Sequence, residues 1–421
     1  MNPAAPVTTI RARFALRCHV GWAGADGFRT CPGEAIPNDD LRYRQLPKLL
    51  FLVTEDWYFW SHRLPVARAA RDAGFAVVVA ARVRAHGERI RAEGFTLRPL
   101  PWRRRGDGVM GAARALAAVT RLYRAERPDI VHHVALKPVL FGALAHRLAF
   151  RRGMAPARIE AVMGLGSGLA ATQFAGRLRR RVLGLALRAG VGPVVAQNPE
   201  DAAALAGLGV EPGRIALIRG SGVDTAWFTP LPEPREGNIT IALVGRMLRD
   251  KGVLDAVAAV RRLRARGLPV ELLLAGPTDP DNAGSLSEAE LRALAAEPGV
   301  EWLGPVEDVR TVWQRAAIAV MPSTYGEGLP KTLLEAAACT RSIIASDVPG
   351  CREIVHPGET GLLVPPRDVA ALADAIAALA ADPGLRRRMG EAGRALVERE
   401  FAEAIVARQT LALYRCALRK R

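Results

Sequence analysis

IAVMPSTYGEGLPKTLLEAAA, residues 318–338, is the stretch that decides the fold. It opens with an apolar run at 318–321, the length of a buried strand. A polar, glycine-bearing loop follows at 323–328, and Pro330 then sits at the expected first position of a helix. Strand, glycine loop and helix start make an anion site, because unpaired backbone N–H groups and the positive end of the helix dipole point beyond the sheet edge. Glu327 lies in the loop and Glu335 within the helix, one turn after Lys331 and on its face. The arrangement suits a ligand with a diphosphate between two hydroxyl-rich sugars. Amides at Gly328, Leu329 and the residues around Pro330 would hold phosphate oxygens, and each glutamate would accept from sugar hydroxyls. Taken alone, the stretch also reads as an ordinary βα unit with two solvated acids.

The totals narrow the class. A chain of 421 residues is long for one core and predicts two domains. Half its residues are hydrophobic and its mean hydropathy is +0.08, which predicts a globular protein. No apolar run is long enough to span a bilayer, and Arg11, Arg13 and Arg17 interrupt anything resembling a signal peptide. The five cysteines, at 18, 31, 339, 351 and 416, show no CxxC spacing. This predicts neither a metal site nor a disulfide framework and suits a reducing cytoplasm. The net charge of +17 is one-sided: residues 1–235 hold 35 Lys and Arg against 18 Asp and Glu, and the remainder is neutral. A basic half beside a neutral half predicts an anionic partner for the first half, either nucleic acid or an anionic lipid surface.

Along the chain, residues 1–46 show no sustained period and read as a poorly ordered extension. Strand 48–53, a helix ending at Ala73 and strand 75–80 open a βαβ unit, which implies a parallel sheet. Between them, Trp57 to Trp60 are consecutive aromatics in a chain that is only 5% aromatic. They suit a cleft that takes sugar rings or lipid, or equally a domain core. Further βα units fill the remainder of a first Rossmann-like domain at 47–232. The Pro-rich run at 229–234 reads as a linker and falls where the charge bias stops. A second Rossmann-like domain spans 233–400, and 401–421 reads as a helix packing back towards the first. The fold class is therefore α/β, two doubly wound domains facing a cleft.

At the mouth of the second sheet, Gly245 and Arg246 end its first strand and Lys251 follows five residues on. Two cations beside a helix N-terminus would surround a diphosphate and stabilise charge on it as it leaves.

These motifs together, GRMLRDKG at 245–252, GEGLPKTLLEAAA at 326–338, SDVPGCREIV at 346–355 and GETGLLVPPRD at 358–368, resemble the retaining family 4 glycosyltransferases. The resemblance implies the two-domain glycosyltransferase B fold and a nucleotide-sugar donor used without a metal or other cofactor. It implies that Arg246 and Lys251 hold the diphosphate, that Glu327 contacts the transferred sugar and that Glu335 binds the ribose. TEDWYFWSHRLPVARAARDAG at 54–74, DIVHHVALKPVLFGALAHRLA at 129–149, VMGLGSG at 162–168 and QNPEDAAAL at 197–205 resemble members that extend undecaprenyl-diphosphate-linked saccharides. Two departures stand out. No glycine follows the first strand, and the family's His-x-His is here His132-His133-Val134. His132 is carried over as a catalytic candidate, with Asp56 (or Glu55), Trp57, His133 and Lys137 on the acceptor side.

Three other motifs read as bystanders. Asp279-Pro-Asp281 looks like a metal-binding DxD but sits in a Pro-rich turn. Gly164-x-Gly-x-Gly168 lacks the spacing and place of a dinucleotide fingerprint. A glycosidase carboxylate pair would gain nothing from Arg246 and Lys251. The Arg-rich helix at 177–188 suits a membrane surface or a solvated face. The expectation is a glycosyltransferase on the inner, cytoplasmic face of the cell membrane. It would use a UDP-sugar and a lipid-linked saccharide, with an anionic membrane surface as partner and no nucleic acid. The alternatives are a nucleotide-sugar epimerase of the same architecture and a basic nucleic-acid-binding protein.

Overall fold

The computed structural model describes residues 46–102, 108–150, 155–162, 174–234 and 238–419. Residues 1–45, with Cys18 and Cys31, and the glycine loop at 164–168 lie outside the described residues. The described strands form two sheets. The first comprises β1 (Lys48–Glu55), β2 (Ala76–Arg82), β3 (Thr96–Pro99), β4 (Ile130–Val134), β5 (Ala157–Ala161), β6 (Val194–Ala196) and β7 (Ile215–Leu217), in the order β3-β2-β1-β4-β5-β6-β7. The second comprises β8 (Ile239–Val244), β9 (Val270–Ala275), β10 (Val300–Gly304), β11 (Ile318–Met321), β12 (Ser342–Ser346) and β13 (Gly361–Val364), in the order β10-β9-β8-β11-β12-β13. Neighbouring strands pair in parallel throughout. Runs such as LLFLV in β1 and ELLLA in β9 are buried on both faces, because helices cover each side of a parallel sheet.

In each sheet the strand order reverses between its first and fourth strands, at β1/β4 and at β8/β11. Crossovers leave these two points in opposite directions and so open a crevice at the carboxyl ends of the strands. The two halves meet across it. Arg84 Nη2 pairs with Asp281 Oδ2 at 2.6 Å, Asn198 Nδ2 donates to the Gly328 carbonyl at 3.0 Å, and Arg352 Nη1 lies 3.3 Å from Glu200.

Several local expectations change. The helix expected to end at Ala73 is two, Asp56–His62 and Leu64–Asp72, and the first begins directly after β1. The short strands β3 and β13 have no counterpart in the sequence reading, since four residues carry too little periodicity; Pro99 ends β3, where the sheet edge tolerates it. The Pro-rich run is no loose spacer. Arg341 Nη2 donates to the Leu231 and Pro232 carbonyls at 2.6 and 2.9 Å, and Arg386 Nε holds Glu233 at 2.5 Å. The helix Glu403–Arg419 lies on Leu64–Asp72, and its Val406, Leu413 and Tyr414 join the core of the first half.

Candidate active site

Two loops build the site, one after β8 and one after β11. Gly252 caps the helix Val253–Ala265 at φ 74°, and a Cβ there would fall 2.1 Å from the Pro322 carbonyl oxygen. Only glycine permits both the left-handed turn and that approach. With the loops this close, Thr324 N donates to Asp250 O at 2.9 Å. Lys251 Nζ then reaches Glu327 Oε1 at 2.7 Å, and the buried Ser323 hydroxyl donates to the same oxygen at 2.7 Å. The Glu327-Gly328 turn is backed from behind by the helix Pro349–Arg352. A Cβ on Gly350 would sit 2.1 Å from Gly328 O.

Arg246 Nη1 pairs with Asp279 Oδ2 at 2.5 Å, and its guanidinium carbon lies 5.9 Å from the Trp57 ring centre across the crevice. The Asp279-Pro-Asp281 segment is a turn, closed by Asn282 N to Asp279 O at 2.7 Å. It also does something the sequence reading missed: Asp279 orients Arg246, and Asp281 ties the second half to Arg84 of the first. Gly245, at φ 153°, begins this loop.

Pro330 proves to be the residue before the helix rather than its first residue; its ψ of 109° is extended and the helix runs Lys331–Ala338. Lys331 Nζ donates to Ser61 O in the other half at 2.8 Å and lies 3.8 Å from Glu403. Burial pushes the Glu335 carboxyl up to about 7; Lys331 pulls it down and Glu403 adds to the rise. The structure thus gathers Arg246, Lys251, Glu327 and Lys331 with the Gly328-Leu329 turn at one crevice.

Residues 238–382 match the family described as Glycosyl transferases group 1, and residues 48–195 match Glycosyl transferase 4-like. Both halves are glycosyltransferase domains. The architecture is that of the glycosyltransferase B fold: the structure of HepE from Anabaena in complex with UDP superposes with a TM-score of 0.72 over 88% of this chain and 100% of that one, at 16% identity. Among relatives in sequence, the alpha-maltose-1-phosphate synthase of Mycolicibacterium smegmatis is 37% identical over 226 residues, 49% of this chain and 58% of that protein. The capsular polysaccharide biosynthesis glycosyltransferase CapM of Staphylococcus aureus is 30% identical over 183 residues, 44% and 47% respectively. The matched stretch thus spans about half the length of each of these two relatives.

In the first of these glycosyltransferase domains, the sequence-based candidates His132, His133, Asp56 and Glu55 need correction. Neighbouring residues of a strand face opposite sides of the sheet, so His132 and His133 both enter the core. His132 Nδ1 meets the Tyr414 hydroxyl at 2.7 Å, and its Nε2 is buried with no hydrogen-bond partner. His133 bonds Glu160 through Nδ1 at 2.7 Å and the Tyr123 hydroxyl through Nε2 at 2.6 Å. Burial works against the Glu160 carboxylate, yet the charges of His133 and Arg158 outweigh it and hold its pKa at about 2. Neither histidine reaches the crevice. Asp56 is fully buried, and its carboxylate accepts from the backbone amides of Trp57, Arg84 and His86 at 2.8, 2.7 and 2.9 Å. It organises the ends of β1 and β2. Glu55 is likewise buried, 3.6 Å from Arg82. Lys137 lies over Trp102 and Phe141, 5.6 and 5.8 Å from their centres. Trp57 alone of the acceptor-side set stands beside Arg246.

His62, absent from the sequence-based candidates, stands at the crevice in their place. Its ring stacks on Tyr58, and its neighbour Ser61 takes Lys331. Nothing in SHR marks this histidine in the sequence, because the second-half cations that act on its ring, Arg246, Lys251 and Lys331, are 184 or more residues away along the chain.

Proposed function

We propose that the chain is a retaining glycosyltransferase that moves a hexosyl unit, such as an N-acetylhexosaminyl one, from a UDP-sugar to a lipid-linked saccharide. In this reading it works without a metal, on the inner, cytoplasmic face of the cell membrane, in surface polysaccharide or glycan assembly. The observation that carries the reading is the Lys251–Glu327 contact beside the Arg246–Asp279 pair at the β8/β11 switch point. Each cation is held by a carboxylate that a diphosphate can replace. On donor binding, Lys251 and Arg246 turn to the phosphate oxygens and Glu327 is released to accept from hydroxyls of the sugar. Glu335 takes the ribose hydroxyls. The anomeric carbon–phosphate bond then breaks as the acceptor oxygen attacks from the same face, with positioning and leaving-group stabilisation supplying the rate.

HepE was solved with UDP, and CapM is named for capsular polysaccharide biosynthesis; both favour this donor and setting. The membrane part draws on the helix Phe174–Arg188. It carries Arg177, Arg179, Arg180 and Arg181 without an acid and exposes Leu178 and Leu185, 52% and 61% accessible. Leu144 and Leu148 of the neighbouring helix Leu136–Ala149 are half exposed alongside. Basic and apolar groups on one face suit an anionic bilayer. No helix of the described residues is long and apolar enough to cross a membrane.

The test is a panel of UDP- and GDP-sugars, with and without a polyprenyl-diphosphate saccharide, scored for nucleotide release and for the anomeric configuration of the product. Release that needs the saccharide and yields a retained linkage is expected. Conversion of a UDP-sugar into another UDP-sugar without acceptor would identify an epimerase and overturn the reading.

A further inference from the structure

His62 ends the helix Asp56–His62, at the point where Lys331 crosses the crevice to Ser61 O at 2.8 Å. Its ring lies flat on Tyr58, with centres 4.3 Å apart and planes 6° from parallel. Its Nδ1 is 2.6 Å from Ser61 Oγ. A hydroxyl has one proton to give, and that of Ser61 goes to the Trp57 carbonyl at 2.8 Å. Ser61 Oγ therefore accepts from His62 Nδ1–H. In the neutral ring this leaves a lone pair at Nε2, and no protein group among the described residues bonds to it. The helix itself sets the tautomer.

Burial, and then the positive charges of Lys331, Arg63, Arg246 and Lys251, hold the ring's pKa down to about 3, so the lone pair persists throughout the neutral range. The other groups at this spot are poor recipients for a proton. Arg246, Lys251 and Lys331 have only N–H groups to offer; Glu327, once the donor has drawn Lys251 away, is taken up by the Ser323 hydroxyl and the hydroxyls of the sugar, and Glu403 is paired with Lys331. An attacking hydroxyl must point its lone pair at the anomeric carbon and its hydrogen elsewhere.

We propose that His62 Nε2 accepts the hydrogen bond of the acceptor's attacking hydroxyl and aims its oxygen at the sugar held beside Arg246 and Lys251. This rests on the glycosyl-transfer reading above. The oxygen–anomeric carbon bond forms as the carbon–diphosphate bond breaks; the hydroxyl hydrogen, directed at Nε2 during the approach, swings to the departing diphosphate oxygen on the same face as the attacking oxygen becomes positive, and is transferred to it. The surrounding cations disfavour an imidazolium, so His62 orients the hydroxyl and does not keep its proton.

Two measurements decide it. In the full chain carrying 15N-labelled histidine, the His62 ring shows Nδ1 protonated and Nε2 bare between pH 8 and pH 5; a ring that gains a second proton near its ordinary pKa of about 6.5 overturns the assignment. In transfer from UDP-glucose, or from the UDP-sugar that the panel selects, to a polyprenyl-diphosphate saccharide, His62→Asn lowers kcat/KM for the acceptor about 100-fold. His62→Gln, whose amide oxygen reaches the place of Nε2, recovers to within about 10-fold of the native chain. The affinity for UDP is the same in all three. Native rates in His62→Asn, or a loss shared by UDP affinity, overturn the His62 role alone. A native chain that transfers to no acceptor overturns the wider reading and this one with it.

Discussion

Replacing Lys251 by Met and Glu327 by Gln, singly and together, separates the resting contact from the work of its members. Nζ and Oε1 are 2.7 Å apart, and the side chains are 16% and 11% accessible. The pair therefore lies between an exposed ion pair, worth up to about 1 kcal/mol, and a buried one whose breakage costs about 3–5 kcal/mol. Lys251→Met leaves the Glu327 carboxylate with the Ser323 hydroxyl alone, and a loss near 2 kcal/mol is expected from that intermediate position. Glu327→Gln removes the orphaned charge, so the double variant regains most of it, a coupling of about 1–2 kcal/mol. For a half of this size, 2 kcal/mol corresponds to roughly 4–8 °C in Tm. Transfer behaves differently: each single change lowers kcat by about 100- to 1,000-fold, and the double variant is no better than the worse single one. Thermal unfolding and nucleotide release at saturating donor read the two effects. Stability changes that add to within about 0.3 kcal/mol, or native kcat in Lys251→Met, would refute the reasoning.

Two further changes probe the neighbours. Asp279→Ala removes the group that orients Arg246 and should weaken kcat/KM for the donor by about 10-fold, unaltered by added divalent metal; a variant rescued by Mg2+ or Mn2+ would instead make Asp279 a metal ligand. Glu335 has a folded pKa near 7, above the ordinary carboxylate value, so the unfolded chain gives up this proton first and the folded state loses stability as pH rises from about 4.5 to about 7. Glu335→Gln should therefore raise Tm at pH 8 and leave it unchanged at pH 4, while UDP affinity in the native chain strengthens through pH 7 as the carboxylate forms. An equal Tm gain at both pH values contradicts this.

The second half was the more legible one in the sequence. Its candidate site residues lie on two short segments, 245–252 and 323–335, each bound to the end of a strand whose apolar run is unmistakable. Once adjacent parallel strands are granted, the chain has no other way to place Lys251 than at the mouth of the sheet. The acceptor side was not legible. Asp56, His132 and His133 have the residue types of a reaction centre, yet burial turns each into a structural group held by backbone amides, Tyr414 or Glu160. Polar residues in a core need such partners, and those partners come from distant parts of the chain.

Local pattern was sufficient for the parallel sheets, because strand periodicity, glycine turns and helix starts are short-range properties of the backbone. Proximity across the crevice was not. Lys331 on Ser61, Trp57 beside Arg246 and the second-half cations around His62 exist only when the two halves close on each other. A residue's charge state and free hydrogen-bonding capacity depend on what packs around it. Tertiary structure therefore assigned the first-half histidines their opposite fates.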